Sequence, residues 1–300
     1  MQWRRRGLRE LCRLLGYSPQ AYYQHNRLTE RQVFHHEEVI QQVLEYRRLQ
    51  PRLGARKLLS ALQIRNATVM GRDAFFELLR EYGLLVRRRR SHVRTTFSCH
   101  RFKKYPNLTV GLVPERPCQL WVSDITYLRL RDDFAYLSLV TDAYSRKIIG
   151  FCVSHDLSTD NCLAALRMAL AARATGEPLI HHSDRGTQYC SRAYTKLLKK
   201  HDIDISMTQS GNPRDNAIAE RVNGILKQEL LKDAYDNVSQ AAREVKQAIA
   251  TYNRLRPHSS LDMLTPDEAH ERTGILQRRW RNYYHRRNTE KNSKLISGLI

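Results

Sequence analysis

Along residues 7 to 82 the apolar positions recur every three to four residues, a helical period. Leu8, Leu11, Leu14 and Leu15 share one face, Gly16 to Pro19 makes a turn, and Ser18 can cap a second helix through Ala21, Tyr22 and Tyr23. Further helices are expected at about 35–49, 54–63 and 71–82, giving an all-α, helix-turn-helix-like region that can contact DNA or pack as a bundle. The period stops after Tyr82 and changes at Gln119, where Leu120 to Leu130 and Phe134 to Asp142 read as two strands around the turn Arg131-Asp132-Asp133, with a third at Lys147–Val153. A helix over 159–174, a strand over 179–183, a helix over 191–200, a strand over 204–207 and a helix over 217–231 follow. This βββαβαβα order predicts an α/β fold, a ribonuclease-H-like mixed five-stranded sheet with helices on both faces. A last amphipathic helix is expected over 239–253, and Pro257 and Pro266 break the chain beyond it.

These patterns divide the chain into a helical, DNA-binding region (1–83), a basic linker (84–117), a catalytic core (118–235) and a C-terminal helix with a basic tail (236–300). Between Tyr82 and Pro114 there is no acid, while Arg87, Arg88, Arg89, Arg90, Arg94, Arg101, Lys103 and Lys104 are all basic. Such a run can neutralise backbone phosphates. The whole chain carries a net charge of +21 and a pI near 10.0, which points to nucleic acid as partner. No apolar run is long enough to cross a bilayer and no signal-peptide pattern follows the Arg-rich start, so a cytoplasmic protein without membrane contact is expected. Six scattered cysteines and 12 histidines form no finger-like spacing, and zinc is not expected.

Candidate chemistry gathers on three acids. Asp124 lies inside the first strand, Asp184 at the carboxyl end of the fourth, and Glu220 on the helix that crosses back over the sheet. The loop before that helix contains Gly211 and Pro213, and Asp215 or Asn216 can cap it. Ile218, Val222, Ile225, Leu226 and Leu230 form its apolar stripe, leaving Glu220, Asn223 and Lys227 on the polar side. A charged acid within an apolar strand is costly without a cation nearby. Convergent carboxylates without Cys or His ligands select a hard ion, Mg²⁺ or Mn²⁺. Two such ions can clamp both oxygens of an in-line phosphoryl displacement.

Trp121–Tyr127 (WVSDITY), His181–Tyr189 (HHSDRGTQY), Ser206–Glu220 (SMTQSGNPRDNAIAE) and Tyr252–His258 (YNRLRPH) resemble, in order and spacing, the blocks of bacterial insertion-sequence transposases of the second-reading-frame (OrfB) type with a retroviral-integrase-like core. The 35 residues between Asp184 and Glu220 match that family's D,D(35)E spacing, and Lys227 falls on its usual basic position. The resemblance implies a metal-dependent polynucleotidyl transferase that cleaves at the terminal inverted repeats of an insertion sequence and joins 3′ ends to target DNA. Asp124, Asp184 and Glu220 would hold two ions, Lys227 would touch DNA near the scissile phosphate, and Asn212, Asp215 and Asn216 would line the loop before the catalytic helix. Arg185, Arg214 and Asn223 are further candidates for DNA contact, and Gln188 either approaches DNA or orders its loop. Asp142 matches a block too, as a turn residue or as support for the site. A homo-oligomer on DNA and an upstream-frame product or frameshift fusion partner are also implied. A structure-selective nuclease of the same fold and a catalytically idle DNA-binding repressor stay open as alternatives.

Overall fold

The structure, a computed structural model, describes residues 7–66, 70–86, 102–173, 176–209 and 216–277. The chain separates into a helical unit (Met1–Leu49 with Gly54–Val86) and a larger unit (Gln50–Leu53 with Arg87–Ile300). In the first, α1 (Leu8–Leu14) ends at Gly16, whose φ of 75° supplies the left-handed turn that a side chain would strain. Ser18 Oγ then accepts from Ala21 N at 3.0 Å. The helix it opens, α2 (Pro19–Leu49), runs unbroken for 31 residues, where the periodicity suggests two separate helices. No Gly or Pro interrupts residues 20–49, so nothing stops its propagation. α3 (Ala55–Asn66) and α4 (Arg72–Glu81) complete the unit, with Val43, Leu58, Phe75 and Leu79 buried.

The larger unit is built on a sheet of order β3-β2-β1-β4-β5. β1 (Leu120–Arg129), β2 (Phe134–Asp142) and β3 (Ile148–Ser154) form the expected antiparallel meander. β4 (Leu179–Ser183) and β5 (Ile203–Met207) add parallel to β1, through crossovers containing α5 (Thr159–Ala171) and then α6 (Thr187–Cys190) with α7 (Arg192–Lys200). This is the ribonuclease-H-like arrangement, with helices on both faces. On one face α5, α6 and α7 bury Trp121, Leu166, Leu179, Tyr194 and Met207. On the other, α8 (Ala217–Ile225) and α9 (Val238–Leu255) cover Leu128, Leu137 and Leu139 with Val222, Val245 and Tyr252. Gly150 makes the α5 contact possible: a Cβ there would lie 2.1 Å from the Ala165 carbonyl oxygen.

Beyond α8 the helix widens into a π turn over Leu226–Leu230, closed by Leu231 N to Leu226 O at 2.8 Å. Thr265-Pro266, which reads from sequence as a break, instead opens α10 (Pro266–His270): Thr265 forms a capping box with Glu268, and proline suits the first helical position. The described part of the basic linker is a strap around the β5 edge. Pro106 O accepts from Met207 N at 3.2 Å, Tyr105 packs with the α7 layer, and Leu112 reaches the layer of α8. The strap thus covers main-chain groups that a bare edge strand would expose.

Candidate active site

Side chains alternate along β1. Trp121 joins the α7 layer while Leu120 and Val122 pack with Ala219 of α8, so Asp124 falls on the α8 side. There Asn223 Nδ2 donates to Asp124 Oδ2 at 2.7 Å, and Ile125 N donates to Oδ1 at 2.9 Å. The parallel register pairs Ser123 with Ser183 at the end of β4, and Asp184, the next residue, lies near enough for its charge to act on Asp124. Its Oδ1 accepts from Gly186 N at 2.9 Å, which fixes the turn into α6. A Cβ on Gly186 would stand 3.0 Å from that same Oδ1, so any side chain there would crowd the Asp184 carboxylate. Glu220 lies one helical turn before Asn223, on the exposed side of α8.

Electrostatics link the three acids. The Asp124 carboxyl is pushed up to about 7, first by burial and then by the negative charge of Asp184, with Glu220 adding least; the hydrogen bonds from Asn223 and Ile125 oppose the rise. Partial burial also raises Glu220. Lys227, half-buried in the π turn, is lowered by burial while the charge of Asp124 pulls it back up. Among the described residues, no three His, Cys, Asp or Glu side chains are drawn into a preformed metal cage. The donor chemistry nonetheless fits a hard divalent ion, because Asp124 and Asp184 are adjacent carboxylates whose mutual repulsion a cation would relieve.

The remaining candidates fall in several places. Asn223 is buried against Asp124, and Arg185 follows Asp184 at the surface boundary. Asn212, Arg214, Asp215 and Arg87, Arg88, Arg89 and Arg90 lie outside the described residues. Asn216 stands at the N-cap of α8 but makes no side-chain cap; its Nδ2 donates to Ser123 O at 3.0 Å instead, tying the start of the helix to β1. Gln188 Nε2 donates to Leu157 O at 3.0 Å and orders its loop. His181 Nε2 lies 2.8 Å from Ser123 Oγ and 3.0 Å from Tyr194 Oη, and burial drives its pKa down to about 3. His182 Nδ1 is 2.8 Å from Ser206 Oγ. Both histidines are buried strand residues.

Two supporting clusters complete the surroundings, one at Asp142, expected as a turn residue or as support, and one at Arg256 and Asn253, to which the sequence assigns no role. Asp142 is fully buried; its Oδ1 accepts from Ser145 N and Ser145 Oγ, both at 2.8 Å, and its Oδ2 from Cys118 N at 2.7 Å. Arg256, also fully buried, makes two 2.8 Å bonds to Glu229 and a 3.0 Å contact with His258 Nε2. Asn253 exchanges a pair of hydrogen bonds with the Ile148 main chain at 2.9 and 3.0 Å. The fourth sequence block therefore locks α9 and the π turn onto the sheet. Three polar residues within one short stretch ending in Arg-Pro-His are its only signal.

Two integrase core domain models match the chain, over residues 114–213 and 201–266. The "Insertion element IS600 uncharacterized 31 kDa protein" of Shigella sonnei is 31% identical over 264 residues, 85% of this chain and 96% of that protein. The "Transposase for insertion sequence element IS629" of the same organism is 33% identical over 217 residues, 72% of this chain and 73% of its own. The "Transposase InsF for insertion sequence IS3A" of Escherichia coli (strain K12) is 30% identical over 274 residues, covering 87% and 93% respectively.

Proposed function

The chain belongs to the insertion-sequence transposases built on an integrase core, and from that premise we propose that Asp124, Asp184 and Glu220 direct metal-dependent phosphoryl transfer in DNA transposition. The observation that carries the reading is the adjacent pair Asp124 and Asp184, with Asp124 raised to about 7 by burial and by its neighbour's charge. An arrangement that holds carboxylates against their own repulsion suits a site shaped for a cation rather than for stability alone. Asp124, Asp184 and Glu220 would hold Mg²⁺ or Mn²⁺, which would supply counter-charge and Lewis acidity for displacement at phosphorus. Asn223 fixes the rotamer of Asp124 through its 2.7 Å bond, and Gly186 N orients Asp184. Lys227, whose charge Asp124 favours against the effect of burial, faces the DNA phosphates near the bond that breaks. The substrates are the terminal inverted repeats and a target DNA, and holding two ends together calls for a homo-oligomer, alone or with an upstream-frame partner.

The test is a strand-cleavage and strand-transfer assay on labelled DNA carrying the element's ends, with Mg²⁺, Mn²⁺ or EDTA, comparing wild type with Glu220→Gln. Joined products that need both metal and Glu220 are expected. Joining by Glu220→Gln or in EDTA would sink the reading, and cleavage without joining would indicate a nuclease. Binding without cleavage, even with the fusion partner added, would indicate an idle repressor.

A further inference from the structure

α7 has two sides. Tyr194, Thr195 and Leu198 are buried against the sheet, while Arg192, Lys196, Lys199 and Lys200 lie at intervals that place all four on the opposite side of the helix. The strap brings Lys103 and Lys104, both exposed, to the same region: Lys103 Nζ lies 5.4 Å and Lys199 Nζ 5.9 Å from the centre of the Tyr105 ring. Among the described residues none of these six cations is in an ion pair. Six like charges gathered without counter-charges repel one another, and a polyanion laid across them relieves that repulsion.

The position separates this stripe from the carboxylates. Asp124 faces α8 on one side of the sheet, whereas α7 packs on the other. The outer side of α7 therefore belongs to a different face of the sheet from the one on which α8 covers Asp124. We propose that Arg192, Lys196, Lys199 and Lys200, with Lys103 and Lys104 of the strap, form a second DNA surface that grips the phosphate backbone of a duplex away from the bond being cut. Five of the six cations are lysines, which act on phosphates as point charges, so the grip follows the backbone rather than the sequence. It rests on the reading of this chain as an enzyme acting on DNA, and it adds to that reading a place for flanking or target duplex.

The experiment measures the dependence of binding on salt, using a mixed-sequence duplex without element ends. In the full-length triple variant Lys196→Gln, Lys199→Gln, Lys200→Gln, the slope of log K against log salt should become shallower by about 0.9 for each phosphate no longer neutralised, or about 2 to 3 in all. The corresponding triple Lys→Arg variant should keep the wild-type slope. Removing three exposed charges from α9, by Arg243→Gln, Lys246→Gln and Arg254→Gln, should change it by less than about one, since these side chains lie outside the stripe. An unchanged slope in the α7 variant overturns the proposal. So does an equal fall in the α9 variant, which would reduce the effect to overall charge. Metal-dependent end joining is read on the same preparations with the fusion partner added: a wild type that still joins nothing defeats the assignment of the triad whatever the slopes, while joining with an unchanged slope defeats the stripe alone.

Discussion

Asp142 and Asp124 lie on adjacent strands of one sheet and are surrounded in opposite ways. Asp142, opposite Trp121 in the β1–β2 register, has three donors converging on its two oxygens and no exposure. The interior has replaced the water this carboxylate gave up, and the result is a fixed β2–β3 turn that also carries His270, whose Nδ1 is 2.9 Å from Ser145 Oγ. Asp124 has one side-chain donor, one main-chain donor from its own successor, and the charge of the Asp184 carboxylate nearby. One acid is solvated by protein; the other is raised by burial and by the charge of a neighbouring carboxylate. Identical changes at the two positions should therefore differ in kind.

The largest effect is expected at the triad. Asp124→Asn should lower strand joining by about a thousandfold or more, as removal of a central electrostatic group does, and yet raise the melting temperature of the metal-free protein at pH 8, because repulsion from Asp184 is gone. Mg²⁺ should then no longer shift that temperature. A variant that joins ends at the wild-type rate, or that is destabilised without metal, would remove the distinction between the two acids.

Asp142→Asn should do the reverse. An amide keeps one acceptor oxygen but sets a donor against groups that themselves donate, so urea unfolding should show a decrease of about 2 to 3 kcal/mol. Activity per folded molecule should stay within about twofold in the cold. A large kinetic defect with unchanged stability would place Asp142 in the chemistry instead.

The sequence spacing suffices for the sheet, because alternation in β1 and β2 and the polar turn Arg131-Asp132-Asp133 agree with one another. Asp124 stands out as an acid inside an apolar strand, whereas Asp184 and Glu220 stand out by their place after a strand and on a polar helix face and by the 35-residue spacing of the resembled family. Their supports are less visible. Asn223 shares a helix face with Glu220 and reads from sequence as facing DNA, yet strand alternation turns Asp124 toward it and the amide is buried. Arg256 looks like one cation among many, since nothing local indicates that Glu229, 27 residues earlier, closes a bidentate pair on it. Long-range pairs of this kind depend on how α9 docks, which periodicity does not encode. The long α2 differs in the opposite sense: the pattern suggests a break where no residue imposes one.

A smaller effect should appear in pH dependence. With a folded pKa of about 7 against an ordinary value of 3.8, native Asp124 binds a proton that the unfolded chain has already released. Stability of the metal-free protein should therefore fall as pH rises from about 4 to 7 and level off above. Three units would correspond to about 4 kcal/mol as an upper bound; with the residue still partly accessible, about 1 to 2 kcal/mol is expected. Stabilisation by Mg²⁺ should grow over the same window, since cation and proton compete for the carboxylate. Denaturant titrations of wild type and Asp124→Asn check this, the slope in that window being absent from the variant.

The smallest effect separates placement from presence. Gly186→Ala leaves all three acids in the chain but brings a methyl to 3.0 Å from Asp184 Oδ1 and 3.2 Å from Gln188 Oε1. The glycine has a φ of −62°, so alanine meets no backbone strain; only the crowding matters, and either side chain can yield by a few tenths of an ångström. If Gln188 yields, its bond to Leu157 O weakens and little else changes. If Asp184 yields, the Gly186 N bond that aims it is broken and the pair with Asp124 opens. The second outcome is expected, because Gln188 is anchored at its far end by Leu157 while Asp184 is held from the crowded side. Joining should fall about tenfold, with unfolding free energy changed by less than about 0.5 kcal/mol. The apparent Mg²⁺ requirement should rise in parallel, and excess metal should restore part of the rate. A rate defect that no metal concentration restores would assign it to the α6 loop itself.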